Sequence, residues 1–278
     1  MTGVAVVGAA ETTELGKIPH MSQIQLHADA ALNAMADAGL TAKDIDGIAT
    51  AGSRPTDLAH YLGITPPWVD GTAGGGCSCM LHVRHAVAAL TTGQCNTVLI
   101  THGESGRSGV GRDGFGRAPA SLSGQFEMPY GPVGPPTLFT LPVLRYMKDY
   151  GMSHEQLAMV AVVQRQWASM NPRASFQEPI SVDDVLASKM IAYPFHLLEC
   201  CLVTDGGGAL ILTRAERAKD FPQPPVYIKG TGESVETPMI SQMQDLTSSR
   251  AFTVAGPVSY THLRAHETGR KVRSRRLL

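Results

Sequence analysis

Between Val69 and Leu90 the stretch VDGTAGGGCSCMLHVRHAVAAL sets three consecutive glycines ahead of Cys77, Cys79, His82 and His85, then runs into an apolar, alanine-rich segment. Four chemistries compete for these residues. Cys and His are zinc ligands, but all four fall within nine residues on what should be one helix. A single helix converges two or three side chains on a metal, and structural zinc sites normally pair ligands across a loop. A redox dithiol fits poorly as well, because the usual spacing has two intervening residues and this one has one. The plainest arrangement packs the cysteines like alanines and leaves both histidines on a polar helix face. The fourth is a nucleophile: a thiolate in the first turn of a helix is stabilised by the macrodipole and by free backbone N–H groups. Glycines before it permit a tight strand-to-helix turn and close approach of a substrate.

Positioning such a group requires a strand before it and a helix after it, and the surrounding chain supplies both kinds of pattern. VAVVGAAET reads as a buried strand ending near Gly8. Ser22 is an N-cap for a helix with Ile24, Ala28, Ala31, Met35 and Ala38 on one face, stopped by Gly39. Thr41 and Asp44 are spaced as a capping box before an apolar strand from Gly47 to Thr50. A helix from about Cys77 to Thr92 leads to the strand TVLITHG, so helices alternate with buried strands as in an α/β architecture. Gly106 to Pro136 is rich in Gly, Pro, Ser and Arg without periodicity and reads as a long loop. Helices resume at LPVLRYMKDYG, at SHEQLAMVAVVQRQWASMN with a Ser153–Gln156 capping box, and at SVDDVLAS. GGALILT is a strand and FPQPP a linker. VYIKGTGESVE then echoes the opening GVAVVGAAETTE, as the start of an internal duplication would.

The 278 residues, 43% hydrophobic and 17% charged, are enough for one large or two ordinary domains. No run approaches the length of a membrane span and the N-terminus has no basic leader, so a cytoplasmic protein without membrane contact is expected. Five cysteines, two adjacent and two separated by one residue, make a poor disulfide framework and fit a reducing compartment. The net charge of −1 conceals a basic tail: Val258 to Leu278 holds six Lys or Arg against Glu267, so it carries +5 and the remainder −6. A nucleic-acid-binding arm is one reading of such a tail. However, VSYTHLRAHET resembles the translation of a transposase adapter used in preparing sequencing libraries. On that reading residues 258–278 are an artefact or disordered, the natural sequence is cut near Pro257, and no nucleic-acid partner is expected.

Taken in order, VAVVGAAET, the small-residue turn with Cys-Ser opening a helix, VLITHGES, YGMSHEQLAMVAVVQRQWASMNPRASF and MIAYPFHLLECCLVTDGGGALILT resemble the thiolase superfamily. The resemblance is to its sterol-carrier-protein-like branch, which includes lipid-transfer proteins and acetyl-CoA acetyltransferases, and it covers residues 2 to about 235. It implies a layered α-β-α fold with a mixed sheet flanked by helices. Residues 1–220 would be the N-terminal thiolase-like domain and 221–257 a linker with the first strand of a second. It implies a coenzyme A-dependent acyltransferase of fatty-acid or sterol side-chain metabolism. Coenzyme A or acyl-CoA would be its substrate, and no covalently bound cofactor or metal is expected. Cys77 would be the acyl-accepting residue, because Ser78 follows it as the family pattern requires, with Cys79 as the fallback. His102, Glu104 and Ser105 would end a strand near the site, Glu104 bonding loop backbone. Asp205 to Ala209 would serve a turn and close strand packing, and Cys200 and Cys201 would be buried core. The family's activating histidine and second cysteine lie in Gly-His-Pro and Cys-x-Gly patterns. Neither occurs after Val226, so this chain alone is expected to be inactive. Full-length relatives imply a homodimer. The alternative is a non-acylating lipid-binding protein, or a retro-aldolase subunit acting on acyl-CoA with an OB-fold partner.

Overall fold

The computed structural model describes residues 3–112 and 119–264, with side chains to residue 257. The strands are β1 (Val4–Glu11), β2 (Gly47–Ala51), β3 (Trp68–Gly71), β4 (Thr97–Ser105), β5 (Met190–Ala192), β6 (Phe195–His196), β7 (Asp205–Arg214) and β8 (Val226–Tyr227). Six of them form one mixed sheet in the order β3-β2-β4-β7-β1-β8, and β5 pairs with β6 alone. β2 runs parallel to β3 and β4, while β7 lies antiparallel between β4 and β1. The strand that echoes the N-terminus, β8, pairs with β1 through Ala5–Tyr227 and Val6–Val226.

Helices α1 (Gln23–Asp37) and α3 (Ser78–Thr91) cover opposite faces of this sheet. On one face Ala28, Ala31, Ala34 and Met35 of α1 pack on Ala5, Val7, Leu99 and Ile211, joined by Leu58 of α2 (Pro55–Leu62). On the other, Ala86, Ala89 and Leu90 of α3 meet Val4, Val98, Ile100 and Leu212. The result is the layered α-β-α arrangement with a mixed central sheet that the resemblance implies. Small residues set its spacing: a Cβ on Gly8 would lie 2.7 Å from the Ala34 carbonyl oxygen and 2.8 Å from Ala38 Cβ. Only glycine lets β1 approach α1 so closely.

The remaining elements lie between β4 and β7: α4 (Leu122–Phe126), α5 (Pro135–Leu138), α6 (Thr140–Tyr150), α7 (His154–Ala168) and α8 (Val182–Ala187). Residues 106–136 are therefore not a continuous loop. Within them Ser121 caps α4 by accepting from Gly124 N–H, and two prolines open α5. Their shortness hides any periodicity. Residues 113–118 of that stretch lie outside the described part. After β8, α9 (Arg250–Arg264) ends the described chain, and the tail reading for residues 265–278 lies outside it. No helix among the described residues is long and apolar enough to cross a membrane.

Candidate active site

Cys77 is the N-cap of α3, reached from β3 through a 3-10 turn at Gly75–Cys77. Gly75 has φ +73°, a left-handed conformation that favours glycine, with open space where a side chain would project. Gly74 N–H donates to Ser78 Oγ at 3.0 Å, and Ser78 is fully buried, so the turn is fastened to the helix it starts. The Cys77 thiol is exposed and donates to the Gly74 carbonyl oxygen at 3.0 Å. Cys79, one residue into α3, is half-buried, and burial pushes its thiol up from the ordinary value. The Ser78 N–H donates to the Gly75 carbonyl oxygen, so the 3-10 turn runs directly into α3.

The two histidines turn away from the cysteines. His82 is buried, not on a polar face: its Nε2 accepts from the Thr72 backbone N–H at 3.1 Å, and burial pushes its pKa down. A helix period places position 82 with Ser78 and Ala86 on the sheet side, where Thr72 partners Nε2 while Nδ1 is buried without a hydrogen-bond partner among the described residues. His85 is held by Asp70, with Nδ1 2.6 Å from Oδ2, and its Nε2 lies 3.5 Å from Glu233. Glu233 also meets Arg84 at 3.3 Å, which ties the segment after β8 to α3. Asp70 and Glu233 were invisible as partners in the sequence, being 15 and 148 residues from His85.

At the C-terminal end of β4, His102 and Glu104 share the α3 side of the sheet with Ile100. The Nδ1 of His102 lies 2.9 Å from the Ala51 carbonyl oxygen, and Nε2 is 4.0 Å from Glu104 Oε1. That distant contact is the one polar partner of Glu104 among the described residues, so it does not bond loop backbone as expected. Asp205 does so instead. Its fully buried carboxylate accepts from Ile18 N–H at 2.7 Å, Arg107 N–H at 2.8 Å and Ser108 N–H at 2.9 Å. Burial would push this carboxyl up, yet the N–H groups hold it below the usual carboxylate range. Gly206 to Gly208 pass close to β4 as expected, but Asp205 to Ala209 is the start of strand β7, paired in register with β4, and not a turn. Cys200 is only half-buried and Cys201 is exposed, because they lie in the irregular surface segment before β7 with Leu202 and Val203 also exposed.

One cavity reaches the first turn of α3 only at Cys79, and a second adjoins the glycine turn itself. The first, of about 850 Å³, is lined by Cys79, Ile100, His102, Gly208 and Leu210, with Ala9 and Ala10 of β1. The other, about 1310 Å³, lies between the Thr72–Gly75 turn and Ser123, Val133 and Leu138 of the excursion. An apolar hollow beside a helix N-terminus can seat an acyl chain and stabilise negative charge on a carbonyl oxygen. Among the described residues no group of three His, Cys, Asp or Glu side chains is placed to hold a metal ion.

No protein-family model matches the chain. It is 35% identical over 246 residues to a steroid side-chain-cleaving aldolase of Thermomonospora curvata, covering 84% of this chain and 62% of that one. It is 31% identical over 257 residues to an acetyl-CoA acetyltransferase of Methanothermobacter thermautotrophicus, covering 89% of this chain and 66% of that one. The chain thus spans less than two thirds of the length of either relative. Among solved structures, an Ltp2-ChsH2(DUF35) aldolase superposes with a TM-score of 0.86 at 32% identity, over 95% of this chain and 70% of that chain. The chain belongs to the thiolase superfamily, alongside the sterol-carrier-protein-like thiolases.

Proposed function

We propose that this chain is part of an enzyme that breaks a carbon–carbon bond beside a coenzyme A thioester by retro-aldol cleavage. The substrate class is an acyl-CoA with a β-hydroxyl on a bulky, apolar, sterol-like skeleton. The observation that carries this reading is the similarity to two aldolases, one by sequence and one by structure. The Cys77 thiol donates to the Gly74 carbonyl oxygen. A retro-aldol step needs a place for the thioester oxygen to carry negative charge, and the positive end of the α3 dipole is suited to it. An OB-fold partner, or a second copy of the chain, belongs to this proposal.

Acyl transfer through Cys77 is the second reading. It is favoured by the exposure of that thiol at a helix N-terminus, with Cys79 as the fallback nucleophile. It would need an activating histidine. On this reading the chain is inactive by itself, since Gly-His-Pro and Cys-x-Gly patterns do not occur after Val226.

Cys77→Ala in the complete gene product, assayed with a steroid β-hydroxyacyl-CoA and separately with acetoacetyl-CoA plus coenzyme A, separates the two. Cleavage that survives the substitution supports the aldolase. Thiolysis abolished by it, with no cleavage in the parent enzyme, establishes acyl transfer instead.

A further inference from the structure

We infer that His102 is the general base of the site, taking the proton from the substrate β-hydroxyl as the carbon–carbon bond breaks. The inference rests on the retro-aldol reading above. It starts from a tautomer. The Ala51 carbonyl 2.9 Å from Nδ1 can only accept, so Nδ1 carries the hydrogen and the neutral ring keeps its lone pair on Nε2. The bond is fixed by register, since Ala51 and His102 are paired across β2 and β4.

Its surroundings favour use of that lone pair. The side chain is about one-third exposed (36%) and lines the 850 Å³ cavity together with Cys79 from the first turn of α3. Opposite His102 in the sheet stands Gly208, which leaves the space beside the ring to the cavity. Glu104 Oε1, 4.0 Å from Nε2, is placed to stabilise the imidazolium that forms. The other histidine of this region, His27, is unsuited to the task. It is wholly buried, with Nε2 accepting from Gly103 N–H at 3.1 Å and Nδ1 2.9 Å from Thr101 Oγ1.

The step balances. Nε2 takes the hydroxyl proton, the C–O bond becomes a carbonyl, and the Cα–Cβ bond breaks. Its electron pair passes to the thioester as an enolate facing the α3 N-terminus. The imidazolium then returns the proton to Cα, leaving a ketone, an acyl-CoA and neutral His102.

Two measurements test this. In the complete gene product, His102→Asn keeps a side-chain N–H for Ala51 and removes the base. It should lower kcat for a steroid β-hydroxyacyl-CoA about 10²–10⁴-fold with KM changed less than about threefold, the usual weight of general-base catalysis. A variant within about tenfold of the parent in kcat overturns the role of His102 and leaves the aldolase reading standing. A parent enzyme that performs thiolysis but no cleavage removes both. Independently, long-range ¹H–¹⁵N spectra of the 278-residue chain should show the Nδ1–H tautomer at His102, with Nε2 shifting when the same β-hydroxyacyl-CoA is added. An Nε2–H tautomer, or an unmoved signal under saturating ligand, overturns the assignment.

Discussion

The carboxylate of Asp205 accepts the backbone N–H of Ile18 at 2.7 Å, joining the first residues of β7 to a segment 187 positions earlier. The other carboxylate oxygen gathers Arg107 and Ser108, so one side chain pins the loop after β1 and the chain leaving β4. Asp205→Ala should destabilise the protein by about 2–4 kcal/mol, because charge-assisted bonds are lost and the Ile18 N–H stays buried. The carboxyl is held below its ordinary value when folded, so its contribution is complete above that value and is lost as pH falls through the lowered one. Urea unfolding at pH 7 and pH 3 should show the difference from the parent shrinking in acid. A difference below about 0.5 kcal/mol at pH 7 would remove this role.

His27 titrates in the opposite chemical sense with the same direction in pH. Burial, with a further push from His102, takes it down to about 3. The unfolded chain therefore binds a proton near pH 6.5 that the native state refuses until about pH 3. Stability should fall as pH drops through this window, by up to about 1.4 kcal/mol per pH unit from this residue. His27→Gln removes the titration. Its unfolding free energy should vary with pH between 6 and 4 less steeply than the parent by about one proton. Identical slopes would place the native His27 in its charged form.

Much of this scaffold is legible in the chain, and the illegible parts have physical causes. Ser22, the three-to-four spacing from Ile24 to Ala38 and the stop at Gly39 mark α1 because capping and periodicity are local. So is the Ser153–Gln156 box that opens α7, where both reciprocal bonds form. Partners fixed by sheet register are not local. The orientation of His102 depends on Ala51, and Cys201 is exposed because no element among the described residues covers the apolar-looking ECCLV segment. Burial of His82 likewise follows from Thr72, whose backbone N–H and hydroxyl are both 3.1 Å from its Nε2. The glycine turn that opens α3 at Cys77 is readable because its glycines and the helix after it are local, but the turn alone does not distinguish acyl transfer from retro-aldol cleavage.

Two glycines on facing strands should respond differently to a methyl group. A Cβ on Gly103 would sit 2.8 Å from the His27 backbone nitrogen and 2.9 Å from its Cδ2, and neither can yield without moving α1. Gly103→Ala should cost about 1–3 kcal/mol. At Gly208 the nearest atom is the Ala10 carbonyl oxygen at 3.6 Å, an ordinary contact. Gly208→Ala should therefore leave stability within about 0.5 kcal/mol of the parent while narrowing the cavity beside His102. Denaturant midpoints decide the first half. Equal losses in both variants would mean that α1 and β4 are not packed as described.

Thiol reactivity gives a direct view of the α3 N-terminus. Alkylation follows access and thiolate fraction. Cys77 is exposed, and Cys201 is exposed on a surface segment. Cys79 is half-buried with its thiol pushed up by burial, and Cys95 is buried and pushed up to about 12. Iodoacetamide at pH 7.5, followed by peptide mass spectrometry over time, should label Cys77 and Cys201 first, Cys79 more slowly, and Cys95 only on unfolding. Because the Cys77 thiol is engaged with Gly74 and no base among the described residues is bonded to it, its rate should stay within about tenfold of that of Cys201. A rate far above this would signal an activated thiolate and return acyl transfer to first place. Labelling of Cys79 ahead of Cys77 would instead exchange their positions at the turn.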